Sequence, residues 1–152
     1  MKKVIQKLLL ISLVILGANT VEAQAWFPVG GGLPPTGASY SYMTSKEHNG
    51  DIYVSTREWI NGSGGLTRVY KWNGLIWTST PPINNNFLFP SDIEFVNNKI
   101  YVSNSFGGTN TPLYEYDNGS WTALTVPGFN GKVQTIKEQG GVLYLAGTFS
   151  SS

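Results

Sequence analysis

The residues best suited to chemistry in this chain are few. Arg57-Glu58-Trp59 sets a cation, a carboxylate and a large indole side by side, and Asn84-Asn85-Asn86 supplies three amides in a second polar stretch. An indole face stacks on a sugar ring, while guanidinium, carboxylate and amide groups hydrogen-bond hydroxyls. These six residues therefore read as a ligand-binding set on two long loops, Arg57–Ser63 and Pro81–Phe87, with a third loop over Ser105–Thr111. The competing reading is that Trp59 covers the apolar underside of its own loop.

Catalysis has less to stand on. The single histidine, His48, precedes Asn49-Gly50 and reads as a turn residue. Asp92 and Glu94 alternate along a strand and so share a face, the placement a glycosidase carboxylate pair would need. Simple alternation instead sets both in solvent while Ile93 and Phe95 enter the core. The sequence contains no His/Glu metal spacing, calcium loop, nucleophile elbow or phosphate-cradling glycine pattern. It has no cysteine, which excludes disulfides, thiolate metal sites and thiol nucleophiles. No catalytic residue, metal or cofactor is expected.

Composition sets the class. Aromatic residues (13%) match charged ones (12%), with 18 glycines, a mixture unlike the charge-rich make-up of disordered chains. Glycine, asparagine and aromatic abundance also argues against a helical bundle. The charges are scattered, so a nucleic-acid or anionic-membrane surface is not expected. Residues 1–25 have the three parts of a secretory signal peptide: basic Lys2-Lys3, an apolar run over Leu8–Leu16, and Ala23-Gln24-Ala25. The run is far shorter than the ~20 residues that span a bilayer. The expected product is an exported chain, cut after Ala23 or Ala25.

The elements that must hold the candidate residues come from a repeat. Ile52-Tyr53-Val54-Ser55, Ile100-Tyr101-Val102-Ser103 and Leu143-Tyr144-Leu145-Ala146 place their tyrosines 48 and 43 residues apart. Behind the first two, Tyr70 with Trp77 and Tyr114 with Trp121 recur at a separation of 44. β-Branched and aromatic runs separated by Asn-Gly turns predict short antiparallel strands. The first unit is expected at Ser39–Thr44, Asp51–Thr56, Leu66–Trp72 and Leu75–Ser79. The second is expected at Asp92–Val96, Lys99–Ser103, Leu113–Tyr116 and Ser120–Ala123. Tight turns are expected at Asn49-Gly50, Asn73-Gly74, Asn97-Asn98 and Asn118-Gly119. A 40–50-residue period of four strands is the signature of a β-propeller blade. Large aromatics at equivalent places suit packing between units, so Trp77→Ala and Trp121→Ala are each expected to cost about 3–5 kcal/mol.

The order Ile-Tyr-Val, a Gly-Gly pair (Gly64-Gly65, Gly107-Gly108), then Tyr70 to Trp77 or Tyr114 to Trp121 resembles a kelch-type repeat. Leu143–Phe149 resembles a variant found in secreted bacterial propellers. The resemblance covers roughly residues 26–149. It implies an all-β fold of propeller-type four-stranded antiparallel blades, in units of about 38–79, 91–123 and a partial 132–149, followed by a tail over 150–152. Trp26–Val29 would match the fourth strand of a blade, giving an incomplete ring of two to three blades. The expectation is a secreted, non-catalytic binding or structural module for a protein or carbohydrate ligand, as a fragment of a larger exported protein. Two alternatives stay open: a lectin-like ring closed by homo-oligomerisation, and the remnant of a secreted hydrolase or oxidase.

Overall fold

A computed structural model describes residues 31–34, 39–60, 63–84, 88–106, 110–127 and 129–151. The segment read as a signal peptide, Trp26, Asn85, Asn86 and Gly107-Gly108 lie outside them. The fold is all-β. β1 (Ser39–His48), β2 (Asp51–Ile60), β3 (Ser63–Trp72) and β4 (Trp77–Ser79) form an antiparallel meander, with the short β5 (Ile83–Asn84) also on β3. A second four-stranded meander comprises β6 (Pro90–Val96), β7 (Lys99–Asn104), β8 (Leu113–Asp117) and β9 (Ser120–Leu124). β10 (Phe129–Gln139) and β11 (Val142–Ser151) form a third, two-stranded unit that extends into the residues read as a tail. The described strands do not close a ring.

The first two strands of each unit share one geometry. Lys46 faces Tyr53, Glu94 faces Tyr101 and Lys137 faces Tyr144, so the three tyrosines hold one register. Two-residue loops close the hairpins at Asn49-Gly50, Asn97-Asn98 and Gly140-Gly141. All six residues have positive φ, from 48° to 82°, as a type I′ turn requires. The first strand of every unit also carries a bulge at one equivalent place, between Tyr42/Thr44, Pro90/Ile93 and Val133/Thr135. A bulge adds local bend and twist. Three bulges at one register position extend the sequence repeat into backbone geometry.

The outer strands repeat as well. Trp72 pairs with Trp77 and Tyr116 with Trp121, their ring centroids 5.5 and 5.1 Å apart. The connecting turns differ. Asn118-Gly119 is a two-residue loop with φ of 47° and 85°. Asn73 instead accepts hydrogen bonds from the amides of Leu75 and Ile76, both at 3.0 Å, through its side-chain oxygen. That contact holds 73–76 as a four-residue loop, so β4 begins at Trp77 rather than at Leu75, and Leu75 is left 83% exposed.

The units pack through their first strands, with β6 flanked by β1 on one side and β10 on the other. Between the first two sheets, Val69, Ile93, Phe95 and Val102 form a buried cluster with Tyr53, Ile100 and Trp121 at its margin. Ile83, Leu88 and Tyr114 make a second cluster that also meets Trp121. On the far side of the second sheet, Leu113, Val133 and Ile136 are buried with Tyr101, Leu143 and Leu145 against them. Trp121 Nε1 donates to the Pro81 carbonyl at 2.9 Å, tying the second sheet to the first.

Candidate functional site

The stretch read as a binding loop is mostly strand. Arg57, Glu58 and Trp59 belong to β2, and the ladder to β3 continues to Ile60 opposite Ser63. Alternation explains this: Arg57 pairs with Thr67 and Glu58 with Leu66, so both faces of the stretch find partners. It also separates two of the expected ligand groups, because neighbouring strand residues point to opposite faces. Arg57 and Trp59 share one face, and Glu58 lies on the other.

Arg57 is only 4% exposed, yet it is well served. Its guanidinium lies over the Phe89 ring at 3.9 Å from the centroid and over Trp59 at 4.6 Å, and Nη1 donates to the Leu88 carbonyl. Cation–π contacts of this kind strengthen as water is excluded. Burial draws the Arg57 pKa below its ordinary value. Gly65 makes the room: a Cβ there would sit 2.6 Å from Arg57 Nε. Phe89 stacks in turn on Phe106, at 5.5 Å and 14°. The result is a row, Trp59–Arg57–Phe89–Phe106, running from the first sheet to the second. Trp59 is its open end, 41% exposed.

Asn104 holds the Phe89–Phe106 half in place. Buried at 1% exposure, it accepts the Phe89 and Phe106 amides at 3.2 and 2.9 Å and donates to the Thr111 carbonyl at 3.2 Å. Ser105 adds two bonds to the Phe89 carbonyl, from its amide and its hydroxyl, both at 2.9 Å. Buried polar groups satisfied this fully fix a local conformation.

Glu58 has a structural post instead. It is fully buried, accepting the Tyr70 hydroxyl at 2.8 Å and Arg68 Nε at 3.1 Å. Asn84 is exposed on β5 in one row with Tyr40, Glu58 and Leu66, so it reaches the same end of the sheet as Trp59. The structure therefore brings Arg57 and Trp59 together on one face at this end of the first sheet, while Asn84 shares the other face with the buried Glu58. Asn85 and Asn86 lie outside the described residues. Phe89 and Phe106 were not singled out by the sequence. The one signal was the apolar run Phe87-Leu88-Phe89-Pro90, an unusual content for a polar loop.

The carboxylates of β6 are not solvent-facing. Glu94 is 5% exposed and lies between two lysines, with Lys46 at 2.8 Å and Lys137 at 3.8 Å. These three residues hold the same register position in their units, so the first strands carry an alternating charge ladder across the stack. Burial alone would push the Glu94 carboxyl up. Lys46 and the amides of Glu138 and Phe95 outweigh it, and the pKa falls below the ordinary carboxylate value. Asp92 accepts the Thr135 hydroxyl at 2.7 Å and the Ile136 amide at 3.0 Å. Simple alternation failed here because β6 is an inner strand, with a neighbouring sheet on each face. Both acids join units together, and neither stands free as a catalytic pair.

Two other features depart from simple expectation. The His48 ring stacks on Phe95 at 4.0 Å and 8°, which makes this turn residue part of the inter-sheet contact. Tyr101 donates to Glu115 at 2.6 Å, and burial together with that carboxylate pushes its pKa up to about 12. Lys99 completes the group at 2.9 Å from Glu115 and 3.2 Å from Asp117. Among the described residues no cluster of His, Asp and Glu has the make-up of a metal site. No family model, no curated protein and no solved structure matches this chain.

Proposed function

We propose that this chain is an exported, non-catalytic binding module built from propeller-type repeat units, with its ligand surface at the Trp59 end of the first sheet. The observation that carries the reading is the Trp59–Arg57–Phe89–Phe106 row. It is an aromatic stack clamped by a buried cation and a buried asparagine, with one indole left open at its end. An indole held against a guanidinium, at a sheet end that also carries the exposed Asn84 on its other face, suits a sugar ring, which takes both stacking and hydroxyl hydrogen bonds. The ligand class that fits is a carbohydrate. In this reading residues 1–25 direct export, and each four-stranded unit is a blade whose bulged inner strand leans on the next.

The test is a glycan-array screen of the chain beginning at Trp26, followed by titration of the best sugar. Trp59→Ala is expected to weaken binding at least about tenfold while lowering the thermal midpoint only modestly, because the ring is 41% exposed at the end of the row and Arg57 keeps Phe89 and the Leu88 carbonyl. Asn84→Ala is expected to weaken it less. Sugar binding that survives both substitutions would remove this site.

A further inference from the structure

We infer that the ligand of the Trp59 surface is an acidic sugar, a ring bearing a carboxylate, and that Arg57 selects it over the uncharged form; the assignment rests on the binding reading above. The Arg57 guanidinium lies 4.6 Å from the centre of the Trp59 ring. A cation on one face of an indole engages the negative quadrupole that otherwise draws positive groups to the ring. A ligand stacking on Trp59 therefore meets a ring already polarised from below. An amino sugar gains less from such a ring, and a carboxylate at its margin is repelled less. The guanidinium also attracts the carboxylate directly. Across a separation of about 8 Å, Coulomb attraction favours binding about twofold in bulk water and about thirtyfold at the effective dielectric of a protein surface.

The charges around this end of the first sheet leave the balance positive. Glu58 is the one carboxylate between Ser55 and Val69. It lies on the face opposite Arg57, fully buried, and Arg68 Nε holds it at 3.1 Å. The other stretches that reach this end, Ser39–Tyr42, Pro81–Pro90 and Asn104–Pro112, contain no charged residue. Two cations thus stand with a single carboxylate, which Arg68 already serves from its own face. Arg57 is also fixed in place, over Phe89 at 3.9 Å and donating to the Leu88 carbonyl, so no ordering cost falls on it when a ligand arrives. Being only 4% exposed, it acts through the indole and its field rather than by touching the sugar. A carboxylate at the open rim keeps most of its hydration, so desolvation does not cancel the attraction.

The probes are tetrasaccharides of galacturonic, glucuronic and mannuronic acid, each beside its methyl ester, which keeps the ring and its hydroxyls and removes the charge. They are titrated calorimetrically into the chain at low and at high salt. At low salt at least one acid is expected to bind about three- to thirtyfold tighter than its ester. That preference is expected to shrink severalfold at about 0.5 M salt. Arg57→Gln is expected to abolish the preference while ester affinity stays within about threefold, whereas an arginine with only a structural role would weaken acid and ester alike. Should Arg57→Gln fail to fold, the salt dependence of the parent chain decides the matter. Equal binding of every acid and its ester, or a preference that salt does not reduce, would overturn the inference and leave the binding reading intact. Neutral sugars bound through Trp59, with none of the three acids bound, would do the same. A chain that binds no sugar, acidic or neutral, would overturn the binding reading and this inference with it.

Discussion

At the scale of single residues, burial decides roles that residue type alone leaves open. Glu58 and Glu94 are both enclosed carboxylates, and each is held by charged partners from neighbouring strands rather than aimed at a ligand. For Glu94 the consequence is a pH signature. Its folded pKa is depressed, so its contribution to stability is present above the unfolded value, about 4.3, and is lost as pH falls through the folded one. Denaturant titrations from pH 6 down to about pH 3 are expected to show unfolding free energy falling with acid, and Glu94→Gln should flatten that slope. An unchanged slope in the variant would mean that Glu94 is not engaged as described. Truncating Lys46 should be less damaging than truncating a lone partner of a buried charge, since Lys137 and two amides still serve Glu94.

At the scale of elements, the hairpins were the most legible part of the sequence. Tyrosine-centred strands and Asn-Gly turns carry their conformational preference locally, and Asn49-Gly50, Asn97-Asn98 and Asn118-Gly119 turn where expected. Gly140-Gly141 closes the third hairpin in the same way; it was not among the expected turns, although a Gly-Gly pair is as suited to positive φ as Asn-Gly. Three things were hidden. The continuation of β2 through Arg57-Glu58-Trp59 looks polar and loop-like because both of its faces are buried by polar means. The four-residue loop at Asn73 depends on a side chain capping two amides. The burial of β6 on both faces depends on neighbouring sheets and not on β6 itself. Of the candidate site, Trp59 and Arg57 were legible as residue types, but their clamp came from Phe89, Phe106 and Asn104, which are distant in sequence. Trp121 belongs to this scale too. It bridges two clusters and bonds Pro81, so Trp121→Ala is expected to cost about 3–5 kcal/mol in chemical denaturation. Trp121→Phe keeps most of the ring but loses the donor, and should cost about 1–2 kcal/mol. Equal stability of parent and Trp121→Ala would remove the indole from the interface.

At the scale of the whole molecule, the chain is a stack of like units joined by a small set of recurring contacts. Each unit offers a tyrosine and a charged residue on one face, and the next unit meets them with aliphatic and aromatic groups. Because each interface involves only neighbours, stability is expected to accumulate unit by unit. The last unit presents the same face with Tyr144 exposed and Lys137 reaching back to Glu94. The most direct measurement is a nuclear Overhauser map of the labelled chain beginning at Trp26. With the three units in common register, cross-strand contacts are expected at Lys46–Tyr53, Glu94–Tyr101 and Lys137–Tyr144. The same arrangement brings the Tyr53 ring to Phe95, and the Tyr101 ring to methyls among Leu113, Val133 and Ile136. A map in which the three pairs fall out of common register, or in which Tyr101 makes no contact with those methyls, would contradict it.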